Sequence, residues 1–185
     1  MRLSQPAKMS CVAVFIASAC AVAQPSAKIA NPAFSGFKLY AQTVRTVQKN
    51  HSRAGLRQGD VFLYGVPGKP ARIESPKLSL SARIIVLGAK SQNIMATCGH
   101  VPEVVKVKGE IVPRSGGLPL RFEVTCQQAL FDGKKGVWTL EGTVKGFYET
   151  AKGRKPLSGD VVTLSRLDST VSITQETTEN AGGNQ

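Results

Sequence analysis

The sequence predicts an all-β protein: a mainly antiparallel small barrel or sandwich of about seven strands, with one short N-terminal helix. Three observations predict it. Apolar and polar residues alternate along several short stretches, such as 105–111 and 120–126. Glycine-rich turns separate these stretches. Apolar residues recur at helical spacing only near the N-terminus. The strand rhythm from Val104 onward fits an OB-type barrel and an immunoglobulin-like sandwich equally well.

The predicted helix lies in the stretch 35–50, SGFKLYAQTVRTVQKN. Phe37, Tyr40, Ala41, Val44 and Val47 recur there at helical spacing, with polar residues opposite them. The alternative is a strand through TVRTVQ, because threonine and valine also suit a pleated surface. The spacing of the apolar residues favours the helix.

The pattern of strands begins at Val61. In the stretch 78–87, apolar residues at Leu78, Leu80, Ala82, Ile84 and Val86 share one face, and the end of the stretch is apolar on both faces, which is typical of a buried strand. Alternation in 105–111 and 118–126 places the valines, leucines and isoleucine on one face and the charged residues on the other.

The stretch 137–149 is predicted to be a strand that bends or closely approaches a neighbour. Its alternation places Trp138, Leu140 and Tyr148 on one side. Gly142 and Gly146 fall on that same side, where a glycine indicates a bend or the close approach of another backbone.

Residues 1–23 have the pattern of a secretory signal peptide. Arg2 and Lys8 form a basic head, the run 9–22 is apolar, and a small-residue site favours cleavage after Ala23. Cys20, in the weak lipobox ASAC, leaves a lipoprotein as the alternative. The apolar run is shorter than the roughly 20 residues of a spanning helix. We therefore expect an exported protein, periplasmic or secreted, with no transmembrane segment in the mature chain, a flexible arm at 24–33, one β-rich domain at 34–175 and a disordered tail at 176–185.

Cleavage after Ala23 leaves two cysteines, Cys98 and Cys126. Each lies in phase with the apolar residues of its own stretch, so both are expected to point into the core. Two inward-facing cysteines in an oxidising compartment predict a disulfide. Its loop of about 29 residues corresponds to roughly 3 to 4 kcal/mol of stability.

The chemistry-bearing residues are too sparse to predict a catalytic, metal or cofactor site. Structural zinc requires four ligands, which Cys98, Cys126, His51 and His100 supply only by using every histidine and mature cysteine. No Gly-x-Ser-x-Gly elbow and no phosphate-binding glycine loop occur. The alternative function is a small secreted hydrolase or nuclease that uses His51 or His100.

Positive charge is the remaining functional signal, with a formal net charge of +12. If the basic turns share one end of the domain, they form a rim suited to an anionic partner. Otherwise they are solvated hairpin tips and lysines that block sheet edges. Nucleic acid is a disfavoured partner because aromatic stacking residues are few. We expect an exported, non-catalytic binding domain, either an accessory component of a bacterial envelope or secretion assembly that contacts an envelope protein, or a binder of an anionic envelope polymer. The candidate binding residues are Lys134, Lys135, Lys145, Lys152, Arg154 and Lys155.

Overall fold

A computed structural model describes residues 34, 36–50, 57–99, 103–113, 116, 118–166 and 171–174. Within these ranges the chain forms one antiparallel sheet of thirteen strands and no α-helix. The all-β antiparallel class is confirmed, whereas the prediction of about seven strands is wrong. The strands are β1 (Lys38–Tyr40), β2 (Thr43–Thr46), β3 (Val61–Tyr64), β4 (Ala71–Ser75), β5 (Leu78–Ala82), β6 (Ile84–Leu87), β7 (Ile94–Thr97), β8 (Val105–Ile111), β9 (Leu120–Cys126), β10 (Gln128–Asp132), β11 (Val137–Thr150), β12 (Gly153–Ser165) and β13 (Val171–Thr174).

The predicted N-terminal helix is wrong, because the described part of 35–50 contains two short strands. β1 pairs with β4, which places Leu39 opposite Ile73. Both side chains are buried in the core, although the helical spacing left Leu39 off the apolar face. β2 pairs with β3 over Thr43 to Thr46, as the alternative strand through this stretch predicted. The chain therefore forms strands here because it pairs with neighbouring strands, although the spacing of its apolar residues favours a helix.

The strands form two layers. The order in which strands pair across the sheet defines them. Layer 1 contains β1, β4, β5, β8, β9 and the second half of β11, in that order. Layer 2 contains β2, β3, β6, β7, β10 and the first half of β11. Only Arg83 separates β5 from β6, and only Gln127 separates β9 from β10. The chain therefore passes repeatedly from one layer into the other at a common bent end.

The ring contact between Phe122 and Trp138 shows that the two layers fold onto each other. Phe122 lies on β9 in layer 1, and Trp138 lies on β11 opposite Phe131 in layer 2. On a flat sheet Phe122 and Phe131 would be about 30 Å apart, at about 3.3 Å per residue. The ring centroids of Phe122 and Trp138 are only 6.2 Å apart. The sheet is therefore folded over, with a bent end near Gln127 and an open end where the strands stop.

β11 crosses between the layers at the glycine that the sequence indicated. Gly142 and Thr143 have φ angles of 75° and 47°, and the pairing with β12 shifts register between Glu141 and Val144. A Cβ added at Gly146 would overlap the carbonyl oxygen of Glu123 on β9. The predicted bend and the predicted close approach are both confirmed, one at each glycine.

The core lies between the two layers and is built from the inward residues of both. β8 and β9 alternate in burial as predicted. The stretch 78–87 does so only as far as Ala82, because the bend at Arg83 shifts the phase and turns Ile85 and Leu87 inward in place of Ile84. Leu118, predicted to face inward, is 70% exposed.

The predicted signal peptide, arm and residues 176–185 lie outside the described residues. Among the residues that the structure describes, no helix is long and apolar enough to cross a membrane.

Candidate functional site

An apolar cleft of about 480 Å³ opens between the two layers at the open end. Strand alternation turns Leu78 and Ile111 of layer 1 into it. Layer 2 contributes Ile94, Phe131 and Trp138. The rings of Phe131 and Trp138 are 4.9 Å apart, so the layer 2 wall is largely aromatic. A cleft of this size and composition is typical of a site for an apolar ligand.

Arg166 lies across the mouth of the cleft and links the two layers. Its backbone N–H donates to the carbonyl oxygen of Gly136 in layer 2, at 2.9 Å. Its Nε donates to the carbonyl oxygen of Val112, at the end of β8 in layer 1, at 3.1 Å. The guanidinium group carries further donors, and Arg166 is exposed. The mouth therefore holds a positioned cation whose terminal nitrogens face no carboxylate within 4.0 Å in the described ranges.

Glu110 is a carboxylate at the mouth of the cleft, and it forms ion pairs with two cations. Its Oε1 lies 4.0 Å from Lys77 Nζ, and its Oε2 lies 3.5 Å from Arg121 Nε. Both cations are largely exposed, so each pair contributes little to stability. Among the described residues that line the cleft, the cations Lys77 and Arg166 outnumber the single carboxylate Glu110.

The structure brings the two predicted basic turns to the same open end. Lys134 and Lys135 lie in the turn between β10 and β11, at the open end of layer 2. Lys152 and Lys155 lie around the turn between β11 and β12, at the open end of layer 1, where they line a second hollow of about 400 Å³ beside Tyr148. The two turns share an end because β11 folds back at Gly142. We call these four lysines the lip lysines.

The other two predicted basic residues lie elsewhere. Lys145 pairs with Thr125 across β9 and lies on the outer face of layer 1, near the bent end. Arg154 lies on the same outer face, with its guanidinium carbon 3.3 Å from the centroid of the Phe147 ring. The six predicted residues therefore form two groups, the lip lysines at the open end and two cations on the outer face of layer 1. None of the six lines the cleft itself.

Cys98 and Cys126 are both buried and carry free thiols in the structure. Cys98 follows β7 and Cys126 ends β9, so both lie at the bent end. Burial, together with a smaller contribution from the nearby charge of Cys98, raises the pKa of the Cys126 thiol to about 12. Burial also raises the pKa of Cys98. The two thiols are close enough to interact electrostatically, and the disulfide between them stays a prediction.

The enzymatic alternative depends on His51 and His100, which both lie outside the described residues. Across the described ranges, no group of three or more histidine, cysteine, aspartate or glutamate side chains is placed to hold a metal ion.

No sequence pattern indicated the cleft. Alternation placed Trp138 on one side of its strand, and no pattern distinguished Phe131 or Arg166. Arg166 lies at the mouth of the cleft because β12 returns to the open end, where Arg166 is beside Gly136. The fold-over of the sheet, which local alternation does not encode, creates the site.

Comparison with solved structures shows the same fold in LptH from Pseudomonas aeruginosa, described as the LptA-homologous periplasmic component of the conserved lipopolysaccharide transport device. The likeness covers 80% of this chain and 89% of that chain, with a TM-score of 0.51 and 9% sequence identity. No protein-family model matches the sequence, and no curated protein matches it significantly. The likeness is one of fold alone.

Proposed function

We propose that this chain is an exported, non-catalytic binding protein that holds an acylated, anionic molecule of the bacterial envelope. The observation that carries the proposal is the apolar cleft with cations at its mouth. An acyl chain inserts between Trp138 and Ile111, and a phosphate or carboxylate headgroup binds Arg166. The lip lysines at the same open end add positive charge that attracts an anion. Lipopolysaccharide belongs to this class of molecule, and the fold shared with LptH supports an envelope role.

Apolar burial supplies the affinity in this proposal. Each buried methylene group contributes about 0.8 kcal/mol. Affinity is therefore expected to rise roughly fourfold for each added methylene until the cleft is filled. The charged headgroup supplies selectivity, because a guanidinium group binds phosphate in a fixed geometry that a neutral headgroup does not reproduce.

The predicted signal peptide and the basic mature chain support the proposed compartment. A chain with an excess of lysine and arginine favours partners with negative charge. Anionic amphiphiles of an envelope have both the charge and the apolar chains that the open end accommodates. The protein acts here by binding and release, as an accessory component.

Calorimetric titration with alkyl phosphates below their micelle concentrations tests the proposal. Lauryl phosphate is expected to bind more tightly than octyl phosphate, and Arg166→Gln is expected to weaken lauryl phosphate binding about tenfold. Dodecyl maltoside, which carries no charge, is expected to bind the wild type and Arg166→Gln equally.

Arg45→Gln is the matched control, because Arg45 lies on the outer face of layer 2 over the Tyr64 ring, away from the cleft. It is expected to bind lauryl phosphate like the wild type. Affinity that is independent of both chain length and Arg166 would overturn the proposed function.

A further inference from the structure

A shallow groove of about 900 Å³ lies on the outer face of layer 1, on the opposite side of the sheet from the cleft. The side chains that line it project from neighbouring strands and are aligned by the sheet register. One row crosses five strands and contains Arg72, Ser81, Lys106, Thr125 and Lys145 in register, with Tyr40 beside Arg72 at its end.

The cations of this row recur at a regular interval. Arg72 lies on β4, Lys106 on β8 and Lys145 on β11, and one strand carrying a hydroxyl residue separates each cation from the next. Neighbouring strands are about 4.8 Å apart. The positive charges therefore recur about every 10 Å across the groove.

The three cations of this row differ in whether a carboxylate of the described residues lies near them. Arg72 lies 3.8 Å from Glu74. In the described ranges, neither Lys106 nor Lys145 has a carboxylate within 4.0 Å. In the adjacent row of the sheet, Lys108 lies 3.6 Å from Glu123. The middle of the groove therefore has positive charge that no carboxylate of the described residues pairs with.

Protection of a sheet edge does not explain these lysines. β8 lies between β5 and β9, and β11 lies between β9 and β12, so Lys106 and Lys145 are in the interior of the sheet. Edge-blocking lysines occur on edge strands. The outer face of layer 2 is different, because a row there begins with Arg45 and continues with the apolar residues Phe62, Val86 and Met95. Of these two rows, only the one on layer 1 alternates cations with hydroxyl residues.

The groove also presents hydrogen-bond acceptors and an aromatic surface. Glu123 lines the groove, and its carboxylate oxygens accept hydrogen bonds. Ser79 also lines it and lies in the same row of the sheet, on the far side of Lys108. A ligand with hydroxyl donors as well as negative charges satisfies both the cations and the carboxylate, whereas a polyphosphate has no donors to offer the carboxylate. Phe147, at one end of the groove, presents a ring beside Arg154.

We propose that this outer groove is a second binding site, for an anionic oligosaccharide whose charged groups bind Arg72, Lys106 and Lys145. The hydroxyl groups of the sugar donate to Glu123, and one ring lies against Phe147. The site is independent of the acyl cleft, since the two surfaces lie on opposite faces of layer 1. It allows the protein to contact a charged glycan while the cleft is occupied.

The test is a titration of the full mature chain with a heparin hexasaccharide, a probe with regularly spaced sulfates and free hydroxyls. Lys106→Ser/Lys145→Ser is expected to weaken its binding about tenfold or more, and added salt is expected to weaken wild-type binding. The double variant Arg45→Ser/Lys49→Ser removes the same charge from exposed positions outside the groove. It is expected to change the affinity by less than about twofold, because more distant charges are screened.

Polyphosphate and polyglutamate of matched total charge distinguish a glycan site from a general polyanion site. The proposal predicts that both bind more weakly than the hexasaccharide. Equal or tighter binding of either polymer, or equal losses in the two double variants, would overturn it. Lauryl phosphate binding to Lys106→Ser/Lys145→Ser is expected to equal that of the wild type, so failure of the groove proposal is separable from failure of the cleft proposal.

Discussion

The Phe122 and Trp138 rings lie 6.2 Å apart at an interplanar angle of 62°. Edge-to-face rings at this separation attract each other. Phe122 belongs to layer 1 and Trp138 to layer 2, so this contact joins the two halves of the folded sheet. It also lies beneath the apolar cleft that Trp138 lines. Stability and the proposed binding site therefore depend on the same aromatic residue.

Trp138→Ala is expected to lower the free energy of unfolding by about 3 to 5 kcal/mol, since Trp138 is buried and the substitution leaves a cavity between the layers. Urea denaturation followed by circular dichroism measures the loss. Phe62→Ala is the control, because Phe62 is only partly buried, on the outer face of layer 2, and a smaller loss is expected. Equal losses in the two variants would contradict the role of Trp138 between the layers.

Gly146→Ala is expected to destabilise the protein by about 1 to 3 kcal/mol or more, as overpacking does. A Cβ at this position meets the backbone of β9 at Glu123, which a side-chain rotation does not relieve. Gly36→Ala is the matched control, with no atom within 4 Å of the added Cβ. Thermal unfolding of the two variants compares them. A melting temperature for Gly146→Ala at or above that of Gly36→Ala would show that β9 and β11 are farther apart than in this structure.

Titration with a thiol reagent tests the predicted disulfide between Cys98 and Cys126. In protein purified from an oxidising compartment, we expect no reactive thiol after unfolding without reductant, and two after unfolding with reductant. Two thiols in the first sample would mean that the cysteines are free in the mature protein.

The reduced protein is expected to lose stability above pH 9. Burial raises the pKa of Cys126 from 9.0 to about 12, so the folded chain keeps its proton where the unfolded chain loses it. The stabilisation is complete below pH 9 and declines by about 1.4 kcal/mol per pH unit towards pH 12. Subtracting the pH profile of Cys126→Val isolates this term from lysine and tyrosine titration. A difference that is flat from pH 9 to 11 would contradict the raised pKa.

Alternation in the sequence predicted which faces of β8, β9 and β11 are buried, because side chains on a strand alternate whatever the sheet does next. It did not predict the two layers, which depend on bends at single residues such as Gln127 and Arg83. The bend at Arg83 divides the predicted strand 78–87 into β5 and β6, and β10, which follows the bend at Gln127, was not predicted as a strand. These two bends account for part of the difference between about seven strands and thirteen. The prediction of an N-terminal helix was wrong because β1 pairs with β4, which buries Leu39. The spacing of residues along the sequence does not reveal this pairing.

The candidate site was predictable only as a set of charges. Lys134, Lys135, Lys152 and Lys155 stood out as basic turns, and their shared end depended on β11 folding back at Gly142. Arg166 had no such signal, since its position is set by a hydrogen bond to Val112 in the other layer. Residues that line an apolar cleft show the same sequence pattern as core residues, so the cleft could be identified only from the structure.

The most direct test of the central claim uses the fluorescence of Trp138, the single tryptophan of the chain. Lauryl phosphate that carries bromine atoms at the end of its chain quenches a tryptophan that it contacts. If the acyl chain enters the cleft, the brominated probe is expected to quench Trp138 with the same midpoint that calorimetry gives for binding, and unbrominated lauryl phosphate is expected to compete. Calorimetric binding without quenching would place the chain elsewhere and contradict the account.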